Sequence, residues 1–113
     1  MAVVKITEQL FKEIVRTFSK KEAEKVIDKL ESLEQQPNKG KTVGNVANIV
    51  VKELKYKKYR FYYVTDGRIL KFGTDDDIAE LLIKFVNMSE KKDQEERIEE
   101  ILKILKELGF QGM

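Results

Sequence analysis

The sequence predicts an α+β fold: an antiparallel β-sheet packed by an N-terminal helix hairpin and a C-terminal helix. Three observations carry this. Apolar residues recur at helical spacing near both ends of the chain. The middle is rich in β-branched and aromatic residues, with turn signals between runs. The length, 113 residues, is that of a single domain, 1–113, large enough to bury one real core.

The elements follow in order. "AVVKIT", residues 2–7, reads as a short strand. Ile6, Leu10, Phe11, Ile14, Val15 and Phe18 then recur at helical spacing. "SKKE" places Ser19 as an N-cap with Glu22 three residues on, a capping box that restarts a helix. The stripe of that second helix is Ala23, Val26, Ile27, Leu30 and Leu33. So short a break between helices predicts an antiparallel hairpin. "QQPNKGK" ends the pair, because Pro37 cannot continue a helix and Gly40 permits a turn.

"IVVKELKY" and "YRFYYVT" form the next strands, with Lys57 and Lys58 between them as a loop. Asp66-Gly67 is the preferred pair of a two-residue type I′ turn, and "RILKF" is the return strand. "GTDDDIAELLIKFVNM" fits two readings. Ile78, Leu81, Leu82, Phe85 and Val86 make a helical stripe behind Thr74, yet "LLIKFVNM" is also a credible buried strand. The expectation adopted is a loop or single turn over 74–80 and a strand over 81–88. In the last segment Asp93 with Glu96 gives a capping pattern. Ile98, Ile101, Leu102, Leu105 and Leu108 form an apolar face, and Gly109 is a natural residue after the helix end.

Composition removes several chemistries. No cysteine means no disulfide, thiolate metal site or cysteine nucleophile, and no histidine removes the commonest general base. Catalysis would fall to Lys, Arg, Glu, Asp, Tyr, Ser or Thr. Charged residues reach 37%, and with no cysteine this fits a heat-adapted (thermophile) protein of the cytoplasm. No apolar run approaches a membrane span, and no signal-peptide pattern opens the chain. The three aspartates after Thr74 lack the spacing of a calcium loop, so no metal is expected there.

The net charge of +2 is unevenly spread. Residues 39–72 hold nine basic residues against two acidic ones, a net +7, which leaves −5 for the rest. A polyanion would meet the middle of this chain. The acidic and basic residues after Ser89 read as a solvated helix face with i,i+4 pairs.

"LEQQPNKGK", "KELKYKKYRFYYVTDGRILKF" and "KKDQEERIEEILKIL", in that order, resemble the RelE/ParE superfamily of toxin components. The resemblance spans nearly the whole chain. It implies a RelE-like fold and a toxin of a toxin–antitoxin pair, held by an antitoxin protein. In the RelE branch it implies an mRNA interferase, a metal-independent endoribonuclease acting on the ribosome with no cofactor. In the ParE branch it implies a protein that binds DNA gyrase without cutting RNA.

Carried over by position, Arg60 matches the arginine of the family's Tyr-Arg motif. Lys55 falls at the arginine of its Glu-Leu-Arg strand, with Glu53 at the glutamate. The resemblance therefore implies Arg60 as the residue that holds the phosphate and Lys55 as a catalytic residue for orientation or proton transfer; the toxin expectation built on it adds Lys52, Lys57, Lys58, Lys91 and Lys92 as lysines that track RNA. Strand alternation puts Tyr59, Phe61 and Tyr63 on one face, toward the core. It puts Arg60, Tyr62 and Val64 on the other, an open face shared with Lys55. The chain departs from the family after Asn87: Met88 and Ser89 stand where a basic pair is expected, and no tyrosine follows Tyr63.

Overall fold

The computed structural model describes residues 2–88 and 90–109. The element order is β1 (Val3–Ile6), α1 (Glu8–Thr17), α2 (Lys20–Glu31), β2 (Lys41–Val46), β3 (Ile49–Tyr56), β4 (Tyr59–Thr65), β5 (Ile69–Gly73), α3 (Asp75–Asn87) and α4 (Lys91–Glu107). The fold is α+β. The sheet runs β1-β5-β4-β3-β2, and β2 through β5 form an antiparallel meander. The expected antiparallel sheet is corrected at one edge. β1 lies parallel to β5, Val3 opposite Ile69 and Ile6 opposite Phe72, so the sheet is mixed. The α1–α2 hairpin between β1 and β2 lets the chain return for the meander with β5 beside the first strand.

Helices cover both faces of the sheet, and each face has its own core. On one face α1 and α2 bury Leu10, Ile14, Ala23, Val26 and Leu30 against Leu54, Phe61, Tyr63, Leu70 and Phe72. On the other, α3 and α4 bury Ile78, Leu82, Val86, Ile101, Ile104 and Leu105 against Val46, Val51 and Tyr62. The period-two alternation of β3 and β4 feeds both: Leu54, Phe61 and Tyr63 point one way, Val51 and Tyr62 the other. The aromatic face of "YRFYY" is core, as expected. Not all of the predicted stripe of α1 is buried, since Phe11 and Val15 stand about half exposed.

The segment expected as a turn and a strand over 74–88 is a helix. Its start explains the outcome. Thr74 Oγ1 accepts from the Asp77 N–H at 3.1 Å, and the Asp77 carboxylate accepts from the Thr74 N–H at 3.0 Å, a complete capping box. The same carboxylate accepts from the Thr7 hydroxyl at 2.6 Å, tying the start of α3 to the N-cap of α1. Ile78, Leu82 and Val86 then recur every four residues onto the sheet.

Burial raises the Asp77 carboxyl, but the hydrogen bonds from Thr7 and Thr74 outweigh it and hold the group below its usual value. A carboxyl lowered in the folded state contributes stability above its unfolded pKa, and loses it as pH falls through the lowered folded value. Asp77→Ala is therefore expected to reduce stability by about 1–2 kcal/mol at neutral pH. That deficit should shrink below about pH 4. Urea titrations at neutral and acid pH check it; an equal deficit at both would remove the charge from the explanation.

Other ends differ in detail from expectation. Ser19 does cap α2, accepting from the Glu22 N–H at 3.2 Å. The Glu22 carboxylate does not close the box; it accepts from Tyr56 Oη and Lys57 Nζ, each at 2.6 Å. α4 begins at Lys91 behind Glu90, so the Asp93–Glu96 pattern lies inside the helix. Gly109, at φ +94, follows the end of α4 as expected.

The Asp66-Gly67 turn is not a two-residue type I′ turn. Thr65 pairs with Leu70, so residues 66–69 form a four-residue connection. Asp66 Oδ1 accepts from the N–H groups of Arg68 and Ile69 at 2.9 and 3.1 Å, and Gly67 takes φ +100. The aspartate competes for backbone donors with its side chain, which favours the longer turn. Lys57 and Lys58 do form the two-residue connection expected, with Tyr56 opposite Tyr59 and Lys57 at φ +55.

Candidate functional site

The β3–β4 register decides which charges meet. Lys55 lies opposite Arg60, Glu53 opposite Tyr62, and Lys41 of β2 opposite Glu53. All five therefore sit on the face that α3 and α4 cover. That face is not the open surface expected: Tyr62 is buried, in the same core cluster as Leu108 at the end of α4. The cover stops there. Beyond it, toward the β3–β4 turn, Lys55 and Arg60 reach solvent side by side.

A concavity of about 430 Å³ lies at this end, lined by Lys39, Lys41, Thr42, Glu53, Lys55, Arg60 and Glu107 among others. Four cations ring it. Glu53 lies deeper, its side chain 13% exposed, with its Oε2 3.8 Å from Arg60 Nη1. Arg60 is 56% exposed at the side chain. Arg60 also hydrogen-bonds the Tyr62 phenol, and with its side chain more than half exposed it keeps further guanidinium donors for an anion such as phosphate.

Burial pushes the Tyr62 phenol up, the Glu53 charge adds to the rise, and the Arg60 hydrogen bond opposes it. The phenol therefore stays protonated at neutral pH and can serve as a donor.

Arg60 also lines a second cleft, of about 690 Å³, on the side toward α1. That cleft is acidic at its mouth, with Glu13, Asp75 and Asp76, and aromatic inside, with Phe18, Tyr59 and Tyr62. The Asp75 side chain is open at the surface, yet partial desolvation, then the Glu13 and Asp76 charges, raise its carboxyl. The two clefts differ in sign, so an anion is drawn to the Lys55 side of Arg60.

The remaining sequence-predicted residues are not gathered here. Lys52 sits opposite Tyr63 and Thr42, on the α1–α2 face of the sheet. Lys57 is engaged with Glu22 at 2.6 Å and stands 5.6 Å from the Tyr56 ring centre. Glu22 raises the Lys57 ammonium and Lys57 lowers the Glu22 carboxyl, the mark of a working ion pair at the surface. Lys58 lies 5.7 Å from the Tyr59 ring centre, at the tip of the same turn. Lys91 and Lys92 begin α4, whereas Glu107 at its far end borders the concavity. The helix rise separates those ends by about 24 Å. Lys92 instead meets Glu90 at 3.4 Å. Met88 is 86% exposed, and Ser89 lies outside the described residues.

Sequence reasoning missed the contribution of Lys39 and Lys41. Both were counted in the basic segment, but nothing in the string aligns β2 with β3. A bulge between Thr42 and Gly44 sets that register. Without it Lys41 would face the other side of the sheet. Glu107 was equally hidden, since its place depends on how α4 lies. Gly44 shows how close that is: a Cβ there would come within 2.8 Å of Ile104 Cγ1.

Among the described residues no helix is long and apolar enough to cross a membrane. No family model, curated protein or solved structure matches this chain.

Proposed function

We propose that this protein is the toxin-like component of a toxin–antitoxin pair, a RelE/ParE-type endoribonuclease that cleaves mRNA at the ribosome. The observation that supports it best is the cross-strand pair Lys55–Arg60, joined by Lys39 and Lys41 around a concavity that Glu53 also lines.

In this reading the scissile phosphate lies between Arg60 and Lys55. The RNA 2′-OH attacks the adjacent phosphorus, and Glu53 accepts the hydroxyl proton. The new 2′-O–P bond forms as the P–O5′ bond breaks, and Lys55 supplies a proton to the departing O5′. Arg60 stabilises the charge that builds on the pentavalent phosphorus. Every role is filled by residue types that the chain contains, with neither histidine nor metal. Lys39 and Lys41 replace Lys52, Lys91 and Lys92 as the lysines nearest the phosphate.

A binding-only reading has one observation in its favour. α3 and α4 cover most of the sheet face on which Lys55 and Arg60 sit, leaving a short basic end. Such a protein would hold an antitoxin or DNA gyrase and cut nothing.

Expression of the chain alone separates the readings. Growth arrest with mRNA cleaved at codon-linked positions, both lost in Lys55→Ala, is the result expected of the nuclease. Arrest with intact mRNA would replace it with the binding reading. No arrest in a susceptible host would remove the toxin role.

A further inference from the structure

The outer side of the α3–α4 pair is apolar where solvent-facing helices are usually polar. Ile98 and Leu102 of α4 are 48% and 46% exposed, and Ile83 of α3 is 46% exposed. The start of α3 and the end of α4 line one cleft, so the two helices run antiparallel. That arrangement sets Ile83 at the level of Ile98. Ile98 and Leu102, one turn apart on α4, share a face, and neither they nor Ile83 line either cleft or belong to the buried stripe Ile101, Ile104, Leu105 and Leu108.

The charges beside this face are self-complementary. Glu95 and Lys106 lie about three turns apart on α4, hence on the same flank. Both are exposed, and neither has an ion-pair partner among the described residues. Consider a second copy whose α4 crosses antiparallel about a two-fold axis level with Glu100. Ile98 then meets Leu102 of the second copy, and Leu102 meets its Ile98. Glu95 comes level with Leu105 of the second copy, within about one residue rise, 1.5 Å, of its Lys106. Symmetry repeats the Glu95–Lys106 pair on the other side. In antiparallel helix pairs residues on the same flank face each other, so both ion pairs form together.

We propose that this protein self-associates through α4, as an isologous antiparallel dimer centred on Ile98 and Leu102 and keyed by two Glu95–Lys106 pairs. That face is narrow, so the dimer is of the weak class that buries less than about 1,200 Å² in total.

Sedimentation equilibrium of the full chain over a range of concentrations tests this. Wild-type protein is expected to pass from monomer to dimer. Lys106→Glu and Glu95→Lys should each raise the dissociation constant about tenfold, the effect of two lost surface ion pairs and two new repulsions. The double variant E95K/K106E should return it to the wild-type value, which a general loss of folding cannot do. Equal mixing of the two single variants should also restore the dimer. A monomer at every concentration would overturn the proposal. So would a dimer indifferent to the single reversals, or a double variant no better than either one.

Discussion

On the nuclease reading proposed above, replacing Arg60 by alanine is expected to slow RNA cleavage by about 10²–10³-fold, the loss that follows removal of one preorganised donor to a transition-state anion. The side chain is more than half exposed, so the fold should be unaffected and the loss should appear in the chemical step. Arg60→Lys retains the charge but loses the planar fork, and should recover only part of the rate. Lys52→Ala is the matched control: it removes a lysine from the neighbouring strand but from the opposite face. Single-turnover cleavage of ribosome-bound mRNA measures all three. A wild-type rate in Arg60→Ala, or equal losses in Arg60→Ala and Lys52→Ala, would remove the concavity from the mechanism.

Phe72→Ala is expected to destabilise the protein by about 3–5 kcal/mol, the cost of emptying a large buried aromatic site. Phe72 has no exposed surface, and its ring lies 4.6 Å from that of Tyr63, centre to centre. Its carbonyl also accepts from the Thr7 N–H at 3.0 Å, where β1 passes into α1. Ile69, on the same strand but 40% exposed, should lose about 1 kcal/mol or less on the same change. Denaturant midpoints at constant m-value give the comparison. Similar losses at both positions would contradict the two-faced packing of β5.

How much of this was legible in the string differs from element to element. The β3–β4 hairpin was legible almost to the residue, because alternation and the Lys57-Lys58 break both point to it. The pairing of Lys55 with Arg60 follows from that hairpin alone. α1 and α2 were legible from their spacing and from Ser19, although the Glu22 carboxylate serves Tyr56 and Lys57 instead of the cap.

The segment after Gly73 was not legible. A helix and a buried strand share its apolar pattern, and the contact that anchors the helix joins Asp77 to Thr7 across the chain. A local window contains neither partner of such a bond. The same holds for the second core. Nothing near Tyr62 in sequence announces that Ile78, Leu82 and Leu105 will bury it.

By itself, then, the sequence determined an α+β chain of strands and helices in this order. It also determined a basic middle and a hairpin that sets Lys55 beside Arg60. These follow from periodicity, turn chemistry and composition, which act between near neighbours. The tertiary structure alone decided that β1 joins β5 in parallel and that α3 and α4 close the second sheet face. It also decided that the basic cluster draws on Lys39 and Lys41 rather than Lys52, Lys91 and Lys92. Those outcomes rest on strand register and helix docking. Both are set by burying apolar surface between segments far apart in the chain, and no local pattern records which segments those will be.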